Sequence, residues 1–298
     1  MDASRPRTGF ADLERRTVTA LVYAVVVLAA LFAPWPTFAV LISLLAVIGY
    51  VELRALFRYR PYQPWLVGVV FVLFFIAAHL FAVRPGVDVR SGFEPVFEYG
   101  AQLGVVLFGV VAIVVFIAEA VRGRPYPAVL GAVFTLAGAL YLGFGFGFLI
   151  DLWQAGGEGT RGWLGTLPVW LLLALVPTWV GDSVAYLVGS RIGRRRIVPR
   201  ISPGKTWEGT LSGFGGAAVA ALLIATSAGM RTGPALLVAA LVGPIGFAGD
   251  LFESAIKRLA GAKDSGTLFP GHGGVLDRID SLIFVAPAVA LVLALARS

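Results

Sequence analysis

Residues 233–281 read GPALLVAALVGPIGFAGDLFESAIKRLAGAKDSGTLFPGHGGVLDRIDS. Its first part, 233–251, is apolar apart from Asp250. That is close to the roughly 20 apolar residues a helix needs to cross a bilayer. Its second part, Gly249–Ser281, gathers five acids (Asp250, Glu253, Asp264, Asp277, Asp280), four bases (Lys257, Arg258, Lys263, Arg278), His272 and a Gly-rich turn from Gly271 to Gly274. An apolar run delivering a dense polar segment sets the pattern for the chain: membrane helices make the fold, and chemistry is expected at their ends.

Outward from this stretch the apolar runs recur. Nine approach spanning length: about 17–33, 37–53, 64–83, 99–121, 127–150, 167–189, 209–228, 233–251 and 281–297. Of the 298 residues, 58% are apolar and 14% charged, against about 25% charged in soluble domains. A soluble chain of this size cannot hide so much apolar surface. The fold class expected is an all-α integral membrane protein, a polytopic bundle of about nine transmembrane helices. The run at 17–33 is long and lacks a following small-x-small site, so it reads as a retained span and not as a cleaved leader.

The positive-inside rule fixes an orientation. With the N-terminus in the cytoplasm, 19 of the 24 basic residues fall in cytoplasmic segments, and only Arg84, Arg90, Arg161, Arg231 and Arg297 lie outside them. The expected topology is nine spans, N-terminus inside and C-terminus outside. The net charge of +7 is then topological, and nucleic acid is excluded as a partner. The absence of cysteine excludes disulfides, thiol nucleophiles and Cys–zinc sites. With His79 and His272 the only histidines, a metal would rest on oxygen ligands, which suits Mg²⁺. His79, inside an apolar run, reads as a packed or interfacial residue.

Both long cytoplasmic loops, 190–208 and 252–280, lie in the C-terminal half. The chain is therefore read as N-terminal transmembrane helices (1–125) and a C-terminal catalytic transmembrane region (126–298) within one integral membrane unit. Asp182 and Asp250 each interrupt an apolar run near its cytoplasmic end, where a carboxylate costs up to roughly 2.5–3.5 kcal/mol to insert. Tyr186 follows Asp182 by four residues. Asp250, Ser254 and Lys257 share a helix face at the same spacing, giving a polar stripe that runs out of the membrane. Asp277 and Asp280 share a face if the ninth helix begins that early. Carboxylates this dense call for a neutralising cation.

The loop 191–208 reads RIGRRRIVPRISPGKTWE. Arg194–Arg196 read as an anionic-lipid contact or topology signal. Ser202, Lys205 and Thr206 offer donors suited to phosphate, with Pro203 and Gly204 shaping a turn. Gly204-Lys205-Thr206 imitates the end of a P-loop, but Pro199 replaces the required earlier glycine. The glycines 143–147, 209, 213, 215 and 216 read as close helix packing.

Two blocks then carry a resemblance. Ser254-x-x-Lys257-Arg258, Lys263-Asp264 and Phe269-Pro270-x-His272-Gly273-Gly274-x-x-Asp277-Arg278-x-Asp280 resemble the signature of phosphatidate cytidylyltransferases. Asp182-Ser183-x-Ala185-Tyr186 and Ser202-Pro203-x-Lys205-Thr206-Trp207-Glu208-Gly209 are similar to a second block of that family. The resemblance implies that CTP and phosphatidic acid yield CDP-diacylglycerol and pyrophosphate, at the cytoplasmic face of the inner membrane. It implies Asp250 and Asp277 as metal ligands, with Asp182 and Asp280 as further ligands, for Mg²⁺ and a second cation. Lys257, Asp264 and His272 join Asp250 and Asp277 as catalytic candidates. Ser202, Lys205, Thr206, Ser254, Arg258, Lys263, Arg278 and Tyr186 are candidates for holding substrate. Membrane lipids are implied partners, and a homodimer is compatible with the reading. The alternatives are a cation transporter using its intramembrane aspartates, or a CTP-dependent enzyme acting on another lipid.

Overall fold

The computed structural model describes residues 29–57, 63–82, 125–155, 167–269 and 273–297, with isolated positions between 25 and 27 and between 110 and 121. The helices are α1 (Trp35–Leu56), α2 (Trp65–Ala82), α3 (Pro125–Ala155), α4 (Val169–Ile192), α5 (Trp207–Ser227), α6 (Thr232–Leu259), the single turn α7 (Leu276–Ile279) and α8 (Leu282–Arg297). Two short strands, β1 (Arg196–Val198) and β2 (Ser202–Thr206), lie between α4 and α5.

Among the described residues six helices are long and apolar enough to cross a membrane, and the apolar stretch of α2, Trp65–Leu80, is shorter. The protein is thus a mainly helical integral membrane protein. The expected runs at 17–33 and 99–121 lie largely outside the described residues, and their described positions are helical up to the bend at Ala33. Large apolar side chains stand exposed along outer helix faces, among them Val40, Leu44, Val70, Val219, Leu223 and Leu236. Helices that are apolar all round belong where lipid replaces water.

The all-α expectation holds for the bundle, and one small addition lies at 196–206, where β1 and β2 pair antiparallel in a two-stranded hairpin. Two β-branched residues, Ile197 and Val198, a Pro199-Arg200 turn and a five-residue return suffice for it. The arginine run masked the alternation that would have signalled a strand.

α3 packs on α1, α2 and α8, and α8 packs in turn on α6 and α4. α4 and α5 make the most intimate pair, because glycines meet across it. A Cβ on Gly213 would sit 2.8 Å from the Gly181 carbonyl oxygen, and one on Gly209 would sit 2.6 Å from that of Ala185. The glycines at 209 and 213 serve close packing, as their sequence pattern implies. Pro177, Pro244 and Pro287 lie inside α4, α6 and α8, which membrane helices tolerate because neighbours re-satisfy the freed backbone.

His79 on α2 is a packed residue. Its Nδ1 lies 2.6 Å from Asp151 Oδ2 on α3. The edge of the Phe148 ring meets its imidazole at 4.9 Å between centroids.

Candidate active site

The hairpin brings the two sequence blocks together. Thr206 ends β2 and caps α5, its hydroxyl oxygen accepting from Gly209 N at 3.3 Å, the ordinary use of threonine at a helix start. Glu208, in the first turn of α5, accepts from the backbone N–H groups of Arg194 and Arg195 at 3.1 and 3.3 Å. These bonds anchor the hairpin root, and Lys205 then extends to α6, where its Nζ donates to Asp250 Oδ2. The ammonium also lies 4.7 Å from the centroid of the Phe247 ring, a favourable cation–π placement.

α6 continues two turns beyond its apolar run, to Leu259. It ends where Gly261 takes the left-handed conformation, φ 72°, a frequent helix stop. The expected stripe forms on this extension. Ser254 Oγ donates to Asp250 Oδ1 at 3.2 Å. One turn on, Lys257 turns to a different partner: its Nζ lies 2.5 Å from Asp277 Oδ1 and 2.7 Å from Glu253 Oε2. Glu253 is fully buried, and the single Lys257 ammonium is shared between the two carboxylates.

Asp277 stands in the turn α7, where the last candidate span, Leu276–Ala296, begins, so the ninth run does start early enough to carry Asp277 and Asp280. Besides Lys257, its Oδ2 accepts from Ser265 N, Ser265 Oγ and Gly274 N, each at 2.8 Å. Gly273 has φ 81°, and a Cβ there would overlap the Asp277 carboxylate; the glycine lets the turn close on the side chain. Asp182, on α4, and Asp280, after α7, lie within electrostatic range of Asp250 and of each other. Three carboxylates from α4, α6 and the α7–α8 junction thus face one region, with Lys205 among them.

The remaining candidates divide. Arg258 donates Nε to Ile201 O at 3.1 Å and Nη1 to Ala262 O at 2.9 Å, tying the end of α6 to the hairpin turn. Lys263 and Asp264 are exposed in the turn after α6, and Ser202 is half-buried on β2. Tyr186 is 74% exposed on α4. Arg278 is half-buried, with its Nε buried and unpartnered. His272 lies outside the described residues.

The profile of the Cytidylyltransferase family matches residues 14–296. This chain belongs to the cytidylyltransferase family. The cytidylyltransferase is 30% identical over 291 residues to the phosphatidate cytidylyltransferase of Bacillus subtilis (strain 168), across 95% of this chain and 98% of that one. It is 41% identical over 170 residues to the phosphatidate cytidylyltransferase of Thermotoga maritima, across 54% of this chain and 58% of the relative. It is 52% identical over 124 residues to the uncharacterized protein YnbB of Escherichia coli (strain K12), across 41% of each. The chain therefore spans about half the length of two of these curated relatives in alignment, and nearly all of the third.

In this cytidylyltransferase one buried carboxylate beside these residues escaped the sequence reading. Glu52 of α1 is buried and accepts from Val275 N and Leu276 N, both at 3.0 Å. The signal was present: Glu52 interrupts the run 37–53 near its end, as Asp182 and Asp250 interrupt theirs.

The described residues contain no group of three or more His, Cys, Asp and Glu side chains set to hold a metal by themselves. Magnesium asks for less: one or two carboxylates, completed by substrate phosphates and water. Asp250 and Asp277 each have an ammonium group resting on one oxygen. Positive charge is therefore already accepted at both carboxylates, and that donor chemistry fits a hard cation.

Proposed function

We propose that this protein transfers the cytidylyl group of CTP to phosphatidic acid, forming CDP-diacylglycerol and releasing pyrophosphate. The observation that carries the reading is the convergence of Lys205 from the hairpin with Asp250, Ser254 and Lys257 from α6 and Asp277 from α7. The relatives from Bacillus subtilis and Thermotoga maritima are named phosphatidate cytidylyltransferases, which supports the same substrates.

The chemistry joins two anions. An oxygen of the lipid phosphate attacks the α-phosphorus of CTP and pyrophosphate leaves, so charge neutralisation and alignment carry most of the catalysis. Lys205 and Lys257 are positioned to hold phosphate oxygens, with Arg278, Lys263 and the unused Nη2 of Arg258 as further cationic donors, and Ser202, Thr206 and Tyr186 as neutral ones. Asp250 and Asp277 would hold magnesium, with Asp182 and Asp280 beside them, and a second cation would share this set. When bound, the ion would neutralise phosphate charge and orient the α-phosphorus. The lipid phosphate is already ionised, so Asp264 and His272 need not remove a proton from the nucleophile.

The site is assigned to the cytoplasmic face of the inner membrane, in a bundle of nine spans with its N-terminus inside. The basic residues support this orientation, since 19 of 24 fall on that side. CTP would then arrive from water and phosphatidic acid from the bilayer. In the division at 125/126, the second part supplies the residues named here.

The test is purified protein supplied with CTP, Mg²⁺ and vesicles containing phosphatidic acid. CDP-diacylglycerol and pyrophosphate should appear in equal amounts. Product from a polyprenol or another lipid, with none from phosphatidic acid, would reassign the acceptor. Cation flux without nucleotide would favour a transporter. A reporter fused after Ser298 should read the outer side.

A further inference from the structure

We propose that Glu52 is a positioning residue for the transfer, acting on Asp277 from the opposite end of the chain; the inference rests on the cytidylyl-transfer reading above. Three consecutive backbone N–H groups are divided between two carboxylates. Gly274 N donates to Asp277 Oδ2 at 2.8 Å, whereas Val275 N and Leu276 N donate to Glu52 Oε1 and Oε2 at 3.0 Å. Ser265 stands between the same two acids, its Oγ 2.8 Å from Asp277 Oδ2 and 3.3 Å from Glu52 Oε2. One hydroxyl hydrogen serves one acceptor at a time, and the shorter contact assigns it to Asp277.

Glu52 therefore grips the backbone immediately before Asp277, and Asp277 in turn grips Lys257. The sequence leaves room for this carboxylate. A Cβ on Gly266 would sit 2.6 Å from Glu52 Oε1, and one on Gly274 would overlap the carboxylate as well. A buried carboxylate is costly unless hydrogen-bonded, and hydrogen bonds to a charged group are among the stronger ones. Glu52 thus fixes the main chain from which Asp277 springs, without touching substrate itself.

The experiment uses the full-length protein and compares wild type, Glu52→Gln and Gly266→Ala in the phosphatidic acid assay. Glutamine keeps the shape, but its amide –NH₂ faces a backbone donor. Alanine at 266 pushes on the carboxylate and leaves its charge intact. For both we expect kcat lower by about tenfold or more, since small misplacements of reacting groups carry such losses, with KM for phosphatidic acid unchanged. A fall in kcat at constant KM marks an interaction realised in the transition state. The second readout is hydrogen exchange at the Val275 and Leu276 amides, which should accelerate in both variants while the thermal midpoint stays near wild type. Wild-type kcat per folded molecule in Glu52→Gln would overturn the proposal. So would failure of both variants to fold, which would assign Glu52 to assembly alone. An inactive wild type would strike the function reading itself, a result distinct from either.

Discussion

The two ends of α1 border two different ways of keeping a carboxylate inside a helical bundle. Near its start, Phe38 stacks on Trp153 at 5.9 Å, two residues from Asp151. Near its end, Glu52 holds the turn before Asp277. Fourteen residues separate Phe38 from Glu52, about 21 Å along a helix. At the first end Asp151 is 2% exposed and hydrogen-bonded to the imidazole of His79, which the rings of Phe144 and Phe148 close in. At the second end Asp250 has a side chain 29% exposed, and its lysine comes from a hairpin outside the bundle. One charge is sealed against its partner; that of Asp250 is held by a group that can exchange it for something else. Pairing that excludes everything serves the fold, whereas pairing that leaves an opening serves binding.

The largest effect should come from the open end. Asp250→Asn should lower turnover by roughly 10²-fold or more, the scale seen when one preorganised charge-stabilising group is removed. Membrane insertion and the thermal midpoint should stay near wild type. An enzyme with near-normal product formation would dissolve the distinction between the ends. Lys257→Ala should follow. It strands Glu253 and Asp277 together, so a thermal scan should show destabilisation of about 3–5 kcal/mol, the range for breaking a buried pair from one side, alongside lost turnover. Glu253→Gln in that background should restore part of the stability and none of the turnover, measured by the same scan and assay.

Ser254→Ala removes a single 3.2 Å bond to Asp250. A net loss of about 1 kcal/mol would appear as a several-fold lower kcat. Smallest for turnover is the sealed end. His79→Gln should lower the thermal midpoint by breaking the pair with Asp151, yet leave kcat per folded molecule at the wild-type value. A kcat effect there would mean that the two ends are coupled, and the contrast drawn above would need revision.

Much of this was legible in residue order because the relevant distances are short along the chain. The Asp250–Ser254 contact follows from four-residue spacing on one helix face, and the membrane class from the apolar runs. The hairpin was hidden because three strand residues beside an arginine run give no alternation to read. Thr206 was read as a donor suited to phosphate, and its oxygen also accepts at the cap of α5; a threonine just before a helix serves both uses, and local sequence does not separate them. Glu52 was hidden for a different reason. Its partners lie 213 to 224 residues away, and no periodicity reports a contact of that range.

That separation also has a meaning in time. Glu52 leaves the ribosome 223 residues before Val275, which at ordinary synthesis rates is roughly 10–45 s. For that interval the first half of the chain is already made, and its carboxylate waits without the amides it will hold. The turn that receives it arrives 223 residues later, so this end of the bundle closes long after α1 is made.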